Sequence, residues 1–319
     1  MEMKKANFPR LTFTGVSRIV LGGIAIGSVL GFCGQIGSWF DIFSEFRAVY
    51  ILLLLILIAI FVWTKRPWLI TGSLLLLFVN GLTFIPFYFD GSHRSNSGRS
   101  QLRVLELNVF GKNNRQTEKA LDLIKRSNPD LIGVSEVTGQ WMLVFQKELK
   151  QYPYQVYEPR YGGVALLSKL PLKNSSVKYF GKIKRPRITA STLIGGQNVQ
   201  IIFAHPVIPL YRNGSRDEEL KVLASEVKSA QSATILFGDL NATPWSHNFN
   251  KLVKDGGLID SEKGFGFQPT WFAFLSPVLT LFPIDHCLVT DDFVVVDRCL
   301  LGSIGSDHFP LQVDLAFKR

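Results

Sequence analysis

Cysteine is scarce in this chain, three residues in 319, and none of the three is set up for a bridge. Cys33 falls in an apolar stretch, while Cys287 and Cys299 fall on two expected strands whose hairpin register does not bring them opposite one another. A disulfide-stapled scaffold is excluded. Charge is thin as well: Asp, Glu, Lys and Arg make up 19% of the residues against 47% hydrophobic ones, which excludes a disordered, solvating polypeptide. No internal repeat is present, so a solenoid is excluded too. The first apolar run lacks an A-x-A-like cleavage site and is longer than the roughly 7 to 15 residues of a signal-peptide core. Leu30-Gly31-Phe32-Cys33 carries Phe32 where a lipoprotein site has a small residue. That run is expected to stay in the protein.

What the sequence has in excess is long apolar stretches, all before residue 90: Ile19 to Phe40, Arg47 to Trp63 and Trp68 to Phe89. Each approaches the roughly 20 residues needed to cross a bilayer, so three N-terminal transmembrane helices are expected. Gly23, Gly27 and Gly31 recur every four residues and predict a close-packing stripe on the first helix. Ionisable side chains are almost absent inside the stretches, unlike the helices of a transport pathway. Lys4, Lys5, Arg10 and Arg18 precede the first stretch, Asp41, Glu45 and Arg47 fill the first loop, and Lys65-Arg66 form the second. These flanks predict a cytoplasmic N-terminus in a multi-pass protein of the cell (inner) membrane, with everything after the third helix extracytoplasmic; Arg94, Arg99 and Arg103 pull mildly the other way.

Residues 91–100 turn to Gly, Ser, Asn and Arg and read as a linker. The chain thus divides into a membrane domain (1–90), the linker and a domain of 101–319. That domain alternates strand and helix signals. Leu102 to Val109, Asp130 to Val137, Gly163 to Ser168, Val199 to Ala204, Ile284 to Val289, Phe293 to Cys299 and Leu311 to Leu315 read as strands; Arg115 to Ser127 and Ser215 to Ala230 read as amphipathic helices. The class is α/β, layered on sheets. The formal net charge is +10, with a basic cluster at Lys178, Lys182, Lys184, Arg185 and Arg187 suited to an anionic partner or to plain solvation.

The stretch that organises the domain is Phe237-Gly238-Asp239-Leu240-Asn241-Ala242-Thr243-Pro244-Trp245, just after the strand-like run from Ala233 to Leu236. Side chains two apart share a face of a strand, so Asp239 and Asn241 leave its end together. Alone, the pair reads as an Asx-turn. Other polar residues also stand at strand ends: Asn108, Glu136, His205, Asp285 with His286, and Asp307 with His308. Each has a structural explanation singly, but strand ends on one edge of a sheet converge in space.

Taken together these residues resemble the endonuclease/exonuclease/phosphatase superfamily, which has the deoxyribonuclease I-like fold. The resemblance rests on Leu107-Asn108-Val109, Val134-Ser135-Glu136-Val137, Gly163-Val164-Ala165-Leu166-Leu167-Ser168, Ala204-His205-Pro206, Gly238-Asp239-Leu240-Asn241, Ile284-Asp285-His286 and Gly305-Ser306-Asp307-His308-Phe309-Pro310, in family order. The run from Asn241 to Ser246 with His205-Pro206 is most similar to bacterial membrane-anchored members. The resemblance implies a four-layer α/β sandwich with two central mixed sheets. Two departures stand out. Gly162-Gly163 occupy the place where the deoxyribonuclease branch has a carboxylate behind its first histidine, leaving Glu158 as a substitute. Ile202 stands where apurinic endonucleases have a tyrosine, which argues against abasic-site repair.

The chemistry follows from the donors. Asn108, Glu136 and Asp307 offer oxygen ligands, the choice of hard cations, so Mg²⁺ is expected, Mn²⁺ is an alternative and zinc comes second. Asp239, with Asn241, is the expected base for an attacking water; His308, kept cationic by Asp285, and His205 are the expected phosphate contacts. His247 and His286 are expected to be structural. The implied function is hydrolysis of a phosphodiester in nucleic acid or a phospholipid head group, with the bilayer as the other partner and no obligate protein partner evident. The competing reading is a catalytically silent membrane receptor or scaffold.

Overall fold

The computed structural model describes residues 13–89, 100–181, 183–212, 215–272 and 280–318. Lys4, Lys5, Arg10, Lys182 and most of the expected linker lie outside the described residues. The first helix, α1 (Phe13–Phe32), starts and ends earlier than the expected Ile19 to Phe40. The chain then tightens into a 3₁₀ turn at Gly34–Ile36, a short helix α2 (Ser38–Asp41) and a second 3₁₀ turn at Ile42–Phe46, which leads straight into α3 (Arg47–Trp63). Two helical runs, Phe13–Phe32 and Ser38–Trp63, are long and apolar enough to cross a membrane.

The expected third span is shorter than that. Helix α4 (Pro67–Leu82) has 16 residues, about 24 Å at 1.5 Å per residue, less than a bilayer core of about 30 Å. Pro86 accounts for the break. Its ring cannot occupy the interior of a helix running on from Leu82, so the chain interrupts at Thr83-Phe84 and α5 (Ile85–Phe89) restarts with Pro86 in its first turn. Among the described residues, two bilayer-length helices therefore replace the three expected. Asn80, near the end of α4, donates to Ser28 Oγ of α1 at 3.0 Å and accepts from Arg47 Nη1 of α3 at 3.2 Å. This tie brings the ends of α1 and α4 level with the start of α3. The glycine stripe works at two of its three positions: a Cβ on Gly27 would meet the Tyr50 hydroxyl at 2.5 Å and one on Gly31 the Ser44 nitrogen at 2.9 Å, whereas Gly23 faces open space.

From residue 102 onward the order is β1 (Leu102–Asn108), α6 (Thr117–Ser127), β2 (Leu131–Ser135), α7 (Gly139–Glu148), β3 (Tyr154–Glu158), β4 (Val164–Ser168), β5 (Lys173–Phe180), β6 (Arg185–Ile194), β7 (Gln197–Ala204), α8 (Ser215–Ala230), β8 (Ala233–Asp239), α9 (His247–Gly256), β9 (Leu258–Asp260), β10 (Asp285–Thr290), β11 (Phe293–Leu300) and β12 (Leu311–Phe317). One six-stranded sheet runs β11-β12-β1-β2-β4-β3 and the other β5-β6-β7-β8-β10-β9. Both are mixed: β1 with β2 and β7 with β8 are parallel, the other pairs antiparallel.

Strand alternation assigns the layers. Val104, Leu131 and Leu166 of the first sheet meet Ile201, Phe203, Ile235 and Phe237 of the second. On its other face the first sheet packs Leu105, Leu107 and Ile132 against Ala120 and Ile124 of α6 and Trp141 and Phe145 of α7. The second packs Ile202, Leu236 and Leu288 against Leu220 and Leu223 of α8 and Phe249 and Leu252 of α9. The result is the expected four-layer sandwich, two mixed sheets between helices. The N-terminal helices dock on one end of it. Phe84 and Phe87 pack around Trp245 and Phe267, and the Gly266 N–H donates to the Phe87 carbonyl at 2.6 Å.

Candidate functional site

The polar strand ends meet at one edge of the sandwich. In the second sheet Asp285 is the register partner of Asp239, and in the first Asn108 pairs with Ser135, one residue before Glu136. Glu136, Arg185, His205, Asp239, Asn241, Asp307 and His308 line one cavity of about 540 Å³. Asn108 ties the edge together, with its Nδ2 3.1 Å from Asp239 Oδ2 and 3.4 Å from Glu136 Oε1. Glu136 turns into the cavity on a left-handed residue, φ +56°, a conformation uncommon outside glycine and one that concentrates at functional sites.

His308 is anchored through Nδ1, 2.8 Å from Asp285 Oδ2, leaving Nε2 3.8 Å from Asp239 Oδ2. Burial alone would hold this imidazole neutral, but the Asp285 and Asp239 carboxylates outweigh it and lift its pKa to about 10. Burial, reinforced by the Asp285 charge, also pushes Asp239 up to about 7. Asp239 Oδ1 accepts the backbone N–H of Asn241 at 3.0 Å, so the Asx-turn is present as well. The Asn241 amide instead donates to the Pro206 carbonyl at 3.0 Å.

His205 differs from its expected role. Its Nδ1–H donates to the Gly162 carbonyl at 3.0 Å, and its Nε2 stands 3.5 Å from Asp239 Oδ2. Burial, then the neighbouring Arg185 guanidinium, drives its pKa well below the usual range and keeps it neutral. Arg185 Nη2 lies 3.2 and 3.0 Å from the two ring nitrogens. The guanidinium occupies the space a Cβ at Gly162 would need, 1.5 Å from Nη1, so only glycine fits there. Glu158 does not stand behind His205; it pairs with Arg160 at 2.9 Å and accepts the Tyr179 hydroxyl at 2.6 Å. The permanent positive charge beside the first histidine therefore belongs to Arg185, which the sequence offered only as one member of a basic cluster. Hydrogen bonds to charged groups contribute about 1.5–3 kcal/mol, so Arg185→Ala is expected to weaken competitive inhibition by inorganic phosphate about 10- to 100-fold, with Arg185→Lys recovering only part. An unchanged inhibition constant would remove Arg185 from the site.

Glu106 was also missed. It sits on β1 two residues before Asn108, fully buried, with Oε1 accepting the Ser135 hydroxyl at 3.2 Å. Burial, then the Asp285 and Asp239 charges, push its carboxyl well above the usual range, so it keeps its proton. Alternation on a strand hides such a residue, because nothing local marks it as protonated. His286, also fully buried, donates Nε2–H to the Ala242 carbonyl at 2.7 Å and stacks on Phe249. The His247 backbone N–H is held by Asp41 at 2.6 Å.

For a cation, the donors fit in part as expected. Glu136 makes no ion pair among the described residues, and its carboxylate is the least committed at the site. The oxygen of Asn108 is engaged by the Phe110 N–H at 2.9 Å, and Asp307 Oδ2 accepts Trp271 Nε1–H at 3.0 Å. Asp239, Asp285 and His308 offer ligand atoms within 4.8 Å of one another, but the Asp285–His308 pair is already joined. The carboxylates of Glu136, Asp239, Asp285 and Asp307 outnumber the cations His308 and Arg185 lining the same cavity. That excess of negative charge suits a divalent cation.

The sequence profile of the Endonuclease/Exonuclease/phosphatase family matches residues 105–308. Among curated proteins none matches in sequence. Solved structures with the same fold include an endonuclease/exonuclease/phosphatase family protein from Bacteroides thetaiotaomicron, with 18% identity and a TM-score of 0.60 over 70% of this chain and 97% of that one. D. rerio TDP2, complexed with single strand DNA product, has 15% identity and a TM-score of 0.58 over 67% and 98%. A mannosyl-6-phosphatase from Bacteroides thetaiotaomicron VPI-5482 has 17% identity and a TM-score of 0.57 over 68% and 100%.

Proposed function

Because this chain belongs to the endonuclease/exonuclease/phosphatase family, we propose that it is a membrane-anchored, divalent-metal-dependent phosphoesterase that hydrolyses a phosphodiester of nucleic acid or of a phospholipid head group. One juxtaposition carries this reading: a carboxylate raised to about 7, Asp239, beside a histidine raised to about 10, His308, on the cavity that also holds Glu136 and Arg185. Asp239 takes the proton of the attacking water as the new oxygen–phosphorus bond forms and the ester bond breaks. His308 and Arg185 donate to the phosphate oxygens, and neutral His205 holds its place beside Asp239. Glu136, with Asn108 and Asp307 around it, would hold the cation, Mg²⁺ first and Mn²⁺ second. When bound, the ion neutralises charge developing on the phosphoryl oxygens.

The bilayer partner is supported by the two long apolar helices; an extracytoplasmic catalytic domain in the cell (inner) membrane further requires the shorter α4 to carry the chain back across, away from Lys65-Arg66 in the turn at the far end of the bundle. A reporter fused after Arg319 is expected to be active only outside the cytoplasm; activity only inside would reverse the orientation. The activity itself is tested with full-length protein in detergent, assayed against bis-p-nitrophenyl phosphate, DNA, RNA and phosphatidylglycerol. Turnover of at least one of these is expected with Mg²⁺ or Mn²⁺, with loss on chelation and recovery on adding the metal back. Glu136→Gln should require a higher metal concentration. No hydrolysis of any substrate with either metal would leave the silent scaffold standing.

A further inference from the structure

The catalytic cavity is not built by the sandwich alone. Ile42 and Phe46, from the 3₁₀ turn between α1 and α3, form one of its walls. Opposite and beside them stand Ile208, Pro209, Trp271 and Phe282. Phe46 meets Phe282 edge to face, ring centroids 5.8 Å apart, and Phe282 in turn packs on Trp271 at 5.4 Å. The cavity thus has a charged floor and an apolar wall, and the wall begins one residue before an apolar helix long enough, with its lead-in, to cross a bilayer.

Each side of this cavity selects a different part of a ligand. The floor suits one phosphate: His308 and Arg185 are its cations, and Asp239 its base. A nucleic-acid strand gains affinity by neutralising several successive phosphates with Lys and Arg, but Arg185 is the only Lys or Arg among the described residues lining the cavity. The wall offers aliphatic and aromatic carbon, which gains by taking hydrocarbon out of water. Phe46 is 38% exposed and Ile208 57% exposed, an arrangement open to a ligand. On the same connection Ile36 and Trp39 are 67% and 65% exposed, as expected of residues that sit at a bilayer interface. Phe46 directly precedes α3 and lines the same cavity as Arg185 and His308, so it stands between that helix and the floor.

We propose that the substrate is a long-chain amphiphile, a phosphoester of a membrane lipid, whose phosphate sits between His308 and Arg185 while its hydrocarbon lies along Ile42, Phe46 and Ile208. The connection between the first two long helices is then a specificity element of the active site as well as an anchor. This inference rests on the phosphoesterase reading above and narrows its substrate.

The test uses full-length protein in mixed detergent micelles with Mg²⁺. Dihexanoyl and dioleoyl forms of phosphatidylglycerol and of phosphatidic acid are compared with a single-stranded DNA oligonucleotide. The expected result is a kcat/KM at least tenfold higher for a dioleoyl lipid than for its dihexanoyl counterpart, and higher than for DNA. Burying one apolar side chain against hydrocarbon is worth roughly a tenfold effect or more, so Phe46→Ser and Ile208→Ser should each cut the long-to-short ratio about fivefold or more. The two lipids partition differently into micelles, but that difference is the same for wild type and variant and cancels when their ratios are compared. Because Ile208 is largely exposed, its replacement decides the matter if Phe46→Ser fails to fold. A ratio near one, preference for DNA, or a ratio unmoved by Ile208→Ser overturns the inference and leaves the phosphoesterase reading intact. Absence of turnover on all five substrates overturns both.

Discussion

Replacing Asp239 by Asn is expected to lower kcat by about 10²- to 10⁴-fold, the usual contribution of a general base, without lowering Tm. The geometry argues both halves. Asp239 Oδ1 is held by the Asn241 N–H at 3.0 Å and Oδ2 faces Asn108 Nδ2 at 3.1 Å, His205 Nε2 at 3.5 Å and His308 Nε2 at 3.8 Å. An asparagine fills the same space but cannot accept the water's proton. The folded-state pKa of Asp239, about 7, is raised above its ordinary value of 3.8 by burial and by Asp285. The native state therefore binds the proton more tightly than the unfolded chain. Stability from this group is complete below the unfolded value and falls as pH rises towards the folded one. At neutral pH the ionised Asp239 costs stability, and its neutral replacement relieves that cost, which offsets the hydrogen bond given up by Asn108 or Asn241. Turnover of a phosphodiester with Mg²⁺ present, and thermal unfolding with chelator present, both at pH 7.5, check the two halves. Wild-type turnover in Asp239→Asn would remove Asp239 as the base, and a large fall in Tm would make it a structural residue.

The sequence announced this residue because it stands where a strand of Ile, Leu and Phe must end, and a polar residue there has no sheet to belong to. Asn108, Glu136, His205, Asp285 and His308 were legible as polar strand ends in the same way, whereas the two-sheet sandwich came only from the family resemblance those residues carry. What stayed hidden has a common physical cause. Glu106 sits inside β1, where its protonation depends on burial between the sheets and then on Asp285 and Asp239, residues far along the chain. Arg185 looked like one of several solvated cations, and only the folded partner Gly162, with no Cβ in the way, reveals where its guanidinium goes. The third apolar stretch was read by composition alone, and Pro86 set its true length. Asp41 and Glu45 read as charges in a short loop, because their partners lie more than 170 positions away.

Those two carboxylates support the second large effect: Glu45→Ala is expected to destabilise the protein by about 3–5 kcal/mol, the cost of breaking a buried charge network at its shortest ion pair and leaving the Thr243 N–H without its acceptor. Arg216, on α8, is 1% exposed. Its Nη1 lies 2.5 Å from Glu45 Oε1 and 3.0 Å from the Asn241 carbonyl, its Nη2 3.4 Å from Asp41 Oδ2, and its Nε 3.3 Å from Asp217 Oδ1. Glu45 Oε2 also accepts the Thr243 N–H at 2.7 Å. Asp41 reaches the start of α9, accepting the His247 N–H at 2.6 Å and the Ser246 hydroxyl at 2.7 Å, where a carboxylate also meets the positive end of the helix. The connection before α3 thus clamps the loop from Asn241 to Ser246 that follows Asp239. For a domain of about 200 residues, 1 kcal/mol moves Tm by about 2–4 °C, so Glu45→Ala should lower it by roughly 10 °C in detergent. Arg216→Met should be similarly costly. The double variant should recover part of the loss, since it removes both charges, and a double-mutant cycle measures the coupling. Additive losses would mean the pair is a bystander. The same clamp predicts that a fragment beginning at residue 101, stripped of Asp41 and Glu45, unfolds at lower temperature than the full chain and hydrolyses phosphodiesters more slowly.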